Sequence, residues 1–177
     1  GLAVAKVCAS LLPTLAGTKV LVMVGPGNNG SDALIAASHL RRWGAQVTAY
    51  LVSTRPEYDP KFTTASERDV LLVSASDDGA LVFLKDELVR SKLVLDGVLG
   101  TGVSRPLKGQ VLKTMLALQG ARSSNSSMTL VALDTPTGMD ADTGAVDPAC
   151  SRADHTITFG YPKQGHYRFP GAGLLGK

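Results

Sequence analysis

The chain has 177 residues, 44% of them hydrophobic and 5% aromatic, so it is long enough for one well-buried domain, and we expect a single domain over residues 1–177. Its 18 Lys and Arg exceed its 15 Asp and Glu by a net charge of +3, and because these charges are scattered, nucleic-acid binding is not indicated. Cys8 and Cys150 lack metal-ligand spacing and the apolar stretches are too short or interrupted to cross a membrane, so we expect a soluble, intracellular protein without a membrane partner, cytoplasmic by default and with an organelle left open.

Apolar periodicity predicts strands that alternate with helices. The predicted helices cover residues 2–12, 33–43, 62–73, 81–90 and 110–119, and a polar connector covers 123–127. The predicted strands cover residues 19–24, 46–52, 93–96, 129–133 and 155–159. This alternation is typical of an α/β fold with a doubly wound, mostly parallel sheet.

A glycine-rich loop lies between the first predicted strand and the second predicted helix. It reads Gly25-Pro26-Gly27-Asn28-Asn29-Gly30-Ser31-Asp32. The glycines permit positive φ and close approach of a ligand, and a helix N-terminus, with Asp32 in its first turn, favours negative charge outside it, so the loop suits a ligand with phosphates. It matches neither the dinucleotide fingerprint nor a Walker loop. The simpler alternative is an Asn-Gly turn with Asp32 as a helix cap.

Three further loops also follow strands. They are Gly97–Gly102, residues 135–140 and residues 160–165, and acids end the preceding strands at Asp96 and Asp134. Because a ligand of an open parallel sheet binds outside the carboxyl ends of its strands, polar residues of the four loops should meet at one edge. The residues expected to converge are Asn29, Asp96, Thr101, Asp134, Thr137 and Lys163.

The two acids could act in acid/base chemistry, bind a cation or cap the structure that follows them. Asn29, Asp96 and Thr137 offer hard oxygen donors of the kind that alkali or alkaline-earth cations prefer. Asp134 is the predicted catalytic residue, and Lys163 could hold it ionised or orient a phosphate, unless Lys163 is an ordinary solvated lysine. His39, His155 and His166 have no Ser or Cys partner for a triad, and we assign them no chemistry.

Four motifs together resemble one family. They are Gly-Pro-Gly-Asn-Asn-Gly-Ser-Asp at 25–32, Asp-Gly-Val-Leu-Gly-Thr-Gly-Val-Ser-Arg-Pro-Leu at 96–107, Asp-Thr-Pro-Thr-Gly-Met-Asp-Ala-Asp-Thr-Gly at 134–144 and Thr-Phe-Gly-Tyr-Pro-Lys at 158–163. In this order they are similar to the NAD(P)HX epimerases, the YjeF N-terminal domain family. The resemblance implies a Rossmann-like three-layer α/β/α sandwich that interconverts the R and S forms of hydrated NADH or NADPH.

The resemblance also implies site residues and partners. Catalysis would fall to Asp134 and Lys163, and potassium, as the cofactor, would be bound by Asn29, Asp96 and Thr137. The residues implied to contact the hydrated dinucleotide are Asn28, Asn29, Gly30, Ser31, Asp32, Gly100, Thr101, Gly102, Val103, Ser104, Arg105, Pro106 and Asp134. A homodimer is implied, as are an NAD(P)HX dehydratase, separate or fused, as functional partner and a chain trimmed at both ends or cut from a larger one.

The chain departs from the family pattern at a few positions. Ser31 and Ala33 stand where the family has glycine, so we expect their side chains to narrow the first loop. Thr137 stands where the family has serine and keeps the hydroxyl.

Two other interpretations remain open. Relatives of this fold serve as dimerising or protein-binding scaffolds, although a scaffold has no need for Asn29, Asp96, Asp134 and Lys163 at strand ends. A nicotinamide oxidoreductase is disfavoured because the dinucleotide fingerprint is missing and no acid closes the second strand.

Overall fold

The computed structural model describes residues 1–53, 60–102, 106–125 and 127–177. Its strands are β1 Lys19–Val24, β2 Gln46–Leu51, β3 Leu71–Ser74, β4 Leu93–Gly97, β5 Thr129–Leu133 and β6 His155–Ile157. Its α-helices are α1 Leu2–Ser10, α2 Asn28–Arg42, α3 Pro60–Glu67, α4 Val82–Arg90 and α5 Gly109–Ser124. Short 3-10 helices cover Gln164–Tyr167 and Gly171–Leu174. Within these described ranges no helix has the length and apolar character needed to cross a membrane.

The six strands form one parallel sheet in the order β3-β2-β1-β4-β5-β6. Val22 of β1 lies beside Ala49 of β2 on one side and Leu95 of β4 on the other. The strand order therefore reverses between β1 and β4, and in such sheets the crevice at that reversal is the usual ligand site. The predicted Rossmann-like α/β fold is confirmed.

Both faces of the sheet are covered, which explains why its central strands are apolar almost throughout. Val20, Val22 and Val24 of β1 belong to a core shared with α1, α2 and α3. Leu21 and Met23 point to the opposite core, which includes residues of α4 and α5. Two helical layers thus enclose the sheet and fix the positions of the loops at its carboxyl edge.

The prediction of a helix over residues 62–73 is wrong in its second half. Helix α3 ends at Glu67, Asp69 takes a left-handed φ of 55°, and Leu71–Ser74 pairs with β2 as the edge strand β3. The apolar run at 70–73 is a strand because pairing with β2 satisfies its backbone, which local periodicity does not reveal. The predicted connector also starts too early, since α5 continues to Ser124.

Candidate active site

The first loop packs directly on the second. A Cβ atom on Gly25 would overlap the Val98 carbonyl group, so glycine is required there for close approach of the two backbones. Gly27 precedes α2 with a φ of −93°, and Gly30 lies inside the helix. None of these three glycines has a positive φ, so the loop does not use the left-handed backbone that glycine permits.

Helix α2 begins at Asn28, earlier than expected, and this changes the positions of the residues that follow. Asp32 is its fifth residue and so lies in the second turn, and Gly27 rather than Asp32 occupies the N-cap position. Ala33 is fully buried, and its Cβ would lie 2.5 Å from a Cβ placed on Gly97 of β4. Ala33 thus faces the sheet and does not narrow the loop, contrary to the expectation from sequence. Ser31 is also buried, with 8% of its surface exposed.

Asn29 ties the start of α2 to the ends of two strands. Its side-chain Nδ2 donates to the Leu99 carbonyl at 3.0 Å and to the Leu133 carbonyl at 2.8 Å. The residue is 9% exposed, whereas the neighbouring Asn28 is exposed. Both amide protons of Asn29 are therefore used within the fold.

Asp96, at the end of β4, is buried and bound to the third loop. Its Oδ1 accepts from Thr137 Oγ1 at 2.7 Å and from the Val98 amide at 3.2 Å, and its Oδ2 accepts from the Thr137 amide at 2.9 Å. Thr137 Oγ1 also accepts from the Leu99 amide at 3.0 Å. Burial raises the pKa of Asp96, while the hydrogen bonds from Thr137 and Val98 act in the opposite direction.

Asp134 follows β5 in a conformation that few non-glycine residues adopt, with a φ of 65°. Its Oδ1 accepts from Thr158 Oγ1 at 3.1 Å and from the Phe159 amide at 3.3 Å, and it lies 2.9 Å from Lys163 Nζ. Backbone strain of this kind is retained mainly where the surroundings impose it, as at functional sites. The capping alternatives fail for both acids, because no helix starts directly after Asp134 and α5, which follows Asp96, has Lys108 at its N-cap position.

Lys163 is not a solvated loop lysine. Its side chain is 22% exposed, and Nζ donates to the carbonyls of Phe159 at 2.9 Å and Tyr161 at 3.1 Å in addition to its ion pair with Asp134. The fourth loop therefore holds the ammonium group at a fixed place beside the carboxylate. An ion pair with so little solvent around it is electrostatically stronger than one on the surface.

His166 also belongs to this cluster, although the sequence analysis assigned it no chemistry. It is 8% exposed, and its Nδ1 accepts from the Lys163 amide at 3.3 Å. Burial lowers the pKa of His166, the Lys163 ammonium lowers it further, and the Asp134 carboxylate and backbone act to raise it. The spacing of three residues from Lys163 is the available signal, but only the turn at Gln164–Tyr167 brings the imidazole back to the Lys163 amide.

Of the second loop motif, the structure describes residues 96–102 and 106–107. Gly100 packs against the Asn29 side chain, since a Cβ there would lie 2.8 Å from Nδ2. Thr101, Gly102 and Pro106 are exposed, and the predicted contact residues Val103, Ser104 and Arg105 lie outside the described residues. Hydrogen bonds join Asn29, Asp96 and Thr137 in one group, with Leu99 between Asn29 and Thr137, and Asp134, Lys163 and His166 form another group. Leu133 links the groups, because Asn29 binds its carbonyl and Asp134 follows it.

The described part of the chain contains no group of three or more His, Cys, Asp or Glu side chains arranged to hold a metal ion. The donors at hand are instead one carboxylate, one amide oxygen and one hydroxyl, a set that suits a weakly bound hard cation better than zinc. Cys150 is buried close to Gly138, and burial raises the pKa of its thiol to about 12, with Asp96 and Asp147 adding to the effect. It is therefore a poor thiolate donor.

Comparison with known proteins identifies the family. A model of the YjeF-related protein N-terminus matches residues 1–165. The chain is 38% identical to the bifunctional NAD(P)H-hydrate repair enzyme Nnr of Thermofilum pendens over 100% of this chain and 33% of that one. It is also 38% identical to the NAD(P)H-hydrate epimerase of Clavibacter michiganensis over 98% of this chain and 74% of the relative.

Among solved structures, yeast ynu0 has the same fold. The match has a TM-score of 0.74 at 23% identity and covers 93% of this chain and 69% of the yeast chain. Identity at that level supports the architecture and no further property. The chain spans a third of the length of the Thermofilum protein. On the match over residues 1–165, the chain belongs to the family of YjeF-related protein N-terminal domains.

Proposed function

We propose that this chain interconverts the R and S forms of hydrated NADH and NADPH, as an isomerase of nicotinamide nucleotide repair. Relatives that carry the name NAD(P)H-hydrate epimerase align with nearly the whole chain, at 38% identity in Clavibacter michiganensis and 32% in Rhodopirellula baltica. The observation that carries the proposal is the ion pair of Asp134 and Lys163, held at 2.9 Å at the carboxyl edge of the parallel sheet, where Asp134 follows β5, the neighbour of β4 at the switch point. Paired, shielded acid/base groups at that position are typical of a catalytic site.

The substrate carbon that must invert is a hemiaminal, bonded to both a hydroxyl and the ring nitrogen. Its configuration inverts if the hydroxyl leaves and returns, or if the ring opens and closes again. Asp134 is a carboxylate at a fixed place, so it can act as the proton acceptor. In the ring-opening route it takes the hydroxyl proton as the C–N bond breaks and delivers that proton to the departing ring nitrogen, which leaves an aldehyde and a ring N–H group. Rotation and closure then reverse these steps.

The exposed parts of the first two loops are proposed to bind the dinucleotide. Asn28 is exposed at the first position of α2, where the helix amides and dipole favour a phosphate. Thr101, Gly102 and Pro106 are exposed on the second loop, and Asp32 is partly exposed. Asn29, Gly30 and Ser31 are buried, so we assign them mainly to shaping this surface.

We further propose that Asn29, Asp96 and Thr137 hold a potassium ion. The donor set fits: Asp96 is 2% exposed, and within the described ranges no Lys, Arg or His forms an ion pair with it. A buried carboxylate without a cationic partner is costly, and a bound cation would offset that cost. Both amide protons of Asn29 bind carbonyls, which leaves its oxygen as the donor toward the ion. When bound, potassium would supply positive charge close to the substrate loops.

The functional partner is proposed to be an NAD(P)HX dehydratase, fused or separate. Bifunctional repair enzymes among the relatives support this pairing, because an epimerase is useful only where another activity consumes one epimer. A homodimer is proposed as well, by resemblance to the family.

An assay with both epimers tests the proposal. Equilibrated hydrated NADH is mixed with an S-specific dehydratase, and the R form is followed by chromatography with and without this protein. We expect R to disappear at a rate proportional to the protein added, with Asp134→Asn as the inactive control. Persistence of R at high protein concentration while S is consumed would refute the activity and favour a scaffold.

A further inference from the structure

The imidazole of His166 accepts a hydrogen bond from the main chain of Lys163, and the main chain of His166 donates one back to it. The Lys163 amide donates to His166 Nδ1 at 3.3 Å, and the His166 amide donates to the Lys163 carbonyl at 3.0 Å. This closes a tight turn around the residue whose side chain reaches Asp134. The orientation of the Lys163 backbone therefore depends on the imidazole.

The hydrogen bond at Nδ1 fixes the tautomer. A nitrogen that accepts a hydrogen bond carries no proton, so the neutral ring carries its proton on Nε2. Nε2 is buried and has no hydrogen-bond partner at ordinary distance within the described ranges. The Lys163 ammonium lowers the pKa of His166 and the Asp134 carboxylate raises it, so charges of both signs act on the ring.

We propose that neutral His166, with its proton on Nε2, is a positioning residue that holds Lys163 and Asp134 in register for the epimerisation proposed above. The inference rests on that proposed function for its kinetic consequences but not for its structural ones. The ring accepts from the Lys163 amide, and the Lys163 ammonium pairs with Asp134, which lies 29 positions away from Lys163 in sequence. Held in this way, the ammonium and carboxylate need no rearrangement before reaction.

Protonation of His166 would undo this arrangement. Two charged groups act on the ring, the Lys163 ammonium and the Asp134 carboxylate, both from segments packed against it. A proton on Nδ1 would remove the acceptor for the Lys163 amide and place a second positive charge beside the lysine. Activity should therefore fall on the acid side as His166 titrates.

The kinetic test compares His166→Ala with His166→Asn, in which an amide oxygen can replace Nδ1 as acceptor and nothing titrates. We expect His166→Ala to lower kcat by about tenfold or more, because small displacements of catalytic groups are costly, with KM changed less than about threefold. His166→Asn should recover most of that loss and lack the acid limb of the wild-type profile. His155→Asn, on β6, is the matched control. Unchanged kcat in His166→Ala would overturn the proposal.

Nitrogen NMR of the labelled histidines gives a readout that needs no substrate. We expect the Nε2–H tautomer for His166, a higher His166 pKa in Lys163→Met and a lower one in Asp134→Asn. An Nδ1–H tautomer, or a pKa that neither variant moves, would overturn the positioning role. If the wild type lacks epimerase activity, the proposed function fails while these spectra still decide the role of His166. If His166→Ala does not fold, His166→Asn and the wild-type spectra decide it.

Discussion

The side-chain amide of Asn29 reaches the carbonyl of Leu133 at 2.8 Å, across 104 positions of sequence. Asn29 lies in the first turn of the helix after β1, whereas Leu133 ends β5, and β4 lies between these strands in the sheet. The same amide also binds Leu99, just beyond β4. A single asparagine thus ties the carboxyl ends of the central strands together. The positions of Asp96, at the end of β4, and Asp134, directly after β5, depend on these hydrogen bonds.

Replacing Asn29 by Ala should therefore lower stability as well as activity. The change takes the Asn29 donor from the part-buried Leu99 carbonyl and leaves the Leu133 carbonyl with the Thr135 amide as its donor, which costs about 1–3 kcal/mol in the free energy of unfolding. Asn28→Ala is the matched control, because Asn28 is exposed and should change stability by less than about 0.5 kcal/mol. Urea unfolding of the two variants measures the difference. If Asn29→Ala and Asn28→Ala were equally stable, the hydrogen bonds of the Asn29 side chain would not contribute to stability.

Glycines of the first two loops should differ sharply in their tolerance of a methyl group. Gly25→Ala would drive a Cβ into the Val98 backbone, and we expect a loss of about 1–3 kcal/mol or more. Gly100→Ala would press on the Asn29 side chain and disturb its two hydrogen bonds, so we expect a smaller loss of stability than in Gly25→Ala, together with a loss of activity. A Cβ at Gly102 meets none of the described residues within 4 Å, so Gly102→Ala serves as the control for stability. Melting temperatures in any other order would contradict this account of the loop packing.

Much of the fold follows from sequence because the central strands are buried on both faces and therefore apolar throughout. Strands β1, β4 and β5 fall close to their predicted places. Strand β3 was missed, since its four residues resemble the end of α3 until pairing with β2 is known. Turn residues such as Asp69, with its φ of 55°, mark that boundary but have no distinctive sequence signal.

The site was predictable in part for a different reason. Polar residues after buried strands must lie at one edge of a parallel sheet, which brings in Asp96, Asp134 and Lys163 without any motif. His166 cannot be found in this way, because it reaches the Lys163 amide only through a short 3-10 turn. The position of Asp32 was wrong for a similar local reason: α2 starts at Asn28, four residues earlier than the acid.

Asp134→Asn should abolish turnover without disturbing the fold. Asparagine tolerates left-handed backbone about as well as aspartate and can still accept from Thr158 and Phe159, so the loop should keep its shape. It cannot take a proton as a carboxylate does, and we expect kcat to fall by about 100-fold or more. Asp142→Asn, on an exposed loop, is the control. Circular dichroism checks the fold, and activity above a tenth of wild type would remove Asp134 from the mechanism.

The pH dependence of stability should reveal the charge on Asp96. Because burial raises its pKa in the folded protein, the folded state binds a proton more readily than the unfolded one. The stability contributed by protonated Asp96 is present below the unfolded pKa of about 4 and is lost as the pH rises through the raised value. In choline chloride, the free energy of unfolding of the wild type should therefore fall with pH relative to that of Asp96→Asn. The comparison uses the slope of the free energy of unfolding against pH and not its absolute value, because the substitution changes hydrogen bonds at every pH.

Potassium should offset the loss of stability at high pH, but only in proteins that keep the Asp96 carboxylate. A cation that binds ionised Asp96 in the folded state stabilises it by mass action, so replacing choline chloride with KCl at pH 8 should raise the melting temperature of the wild type. Asp96→Asn should lose this increment, and Asn29→Ala should reduce it because the amide oxygen is gone. Sodium chloride at equal ionic strength controls for screening of surface charges. An equal response of wild type and Asp96→Asn to KCl would exclude Asp96 from cation binding, whatever the activity of the protein proves to be.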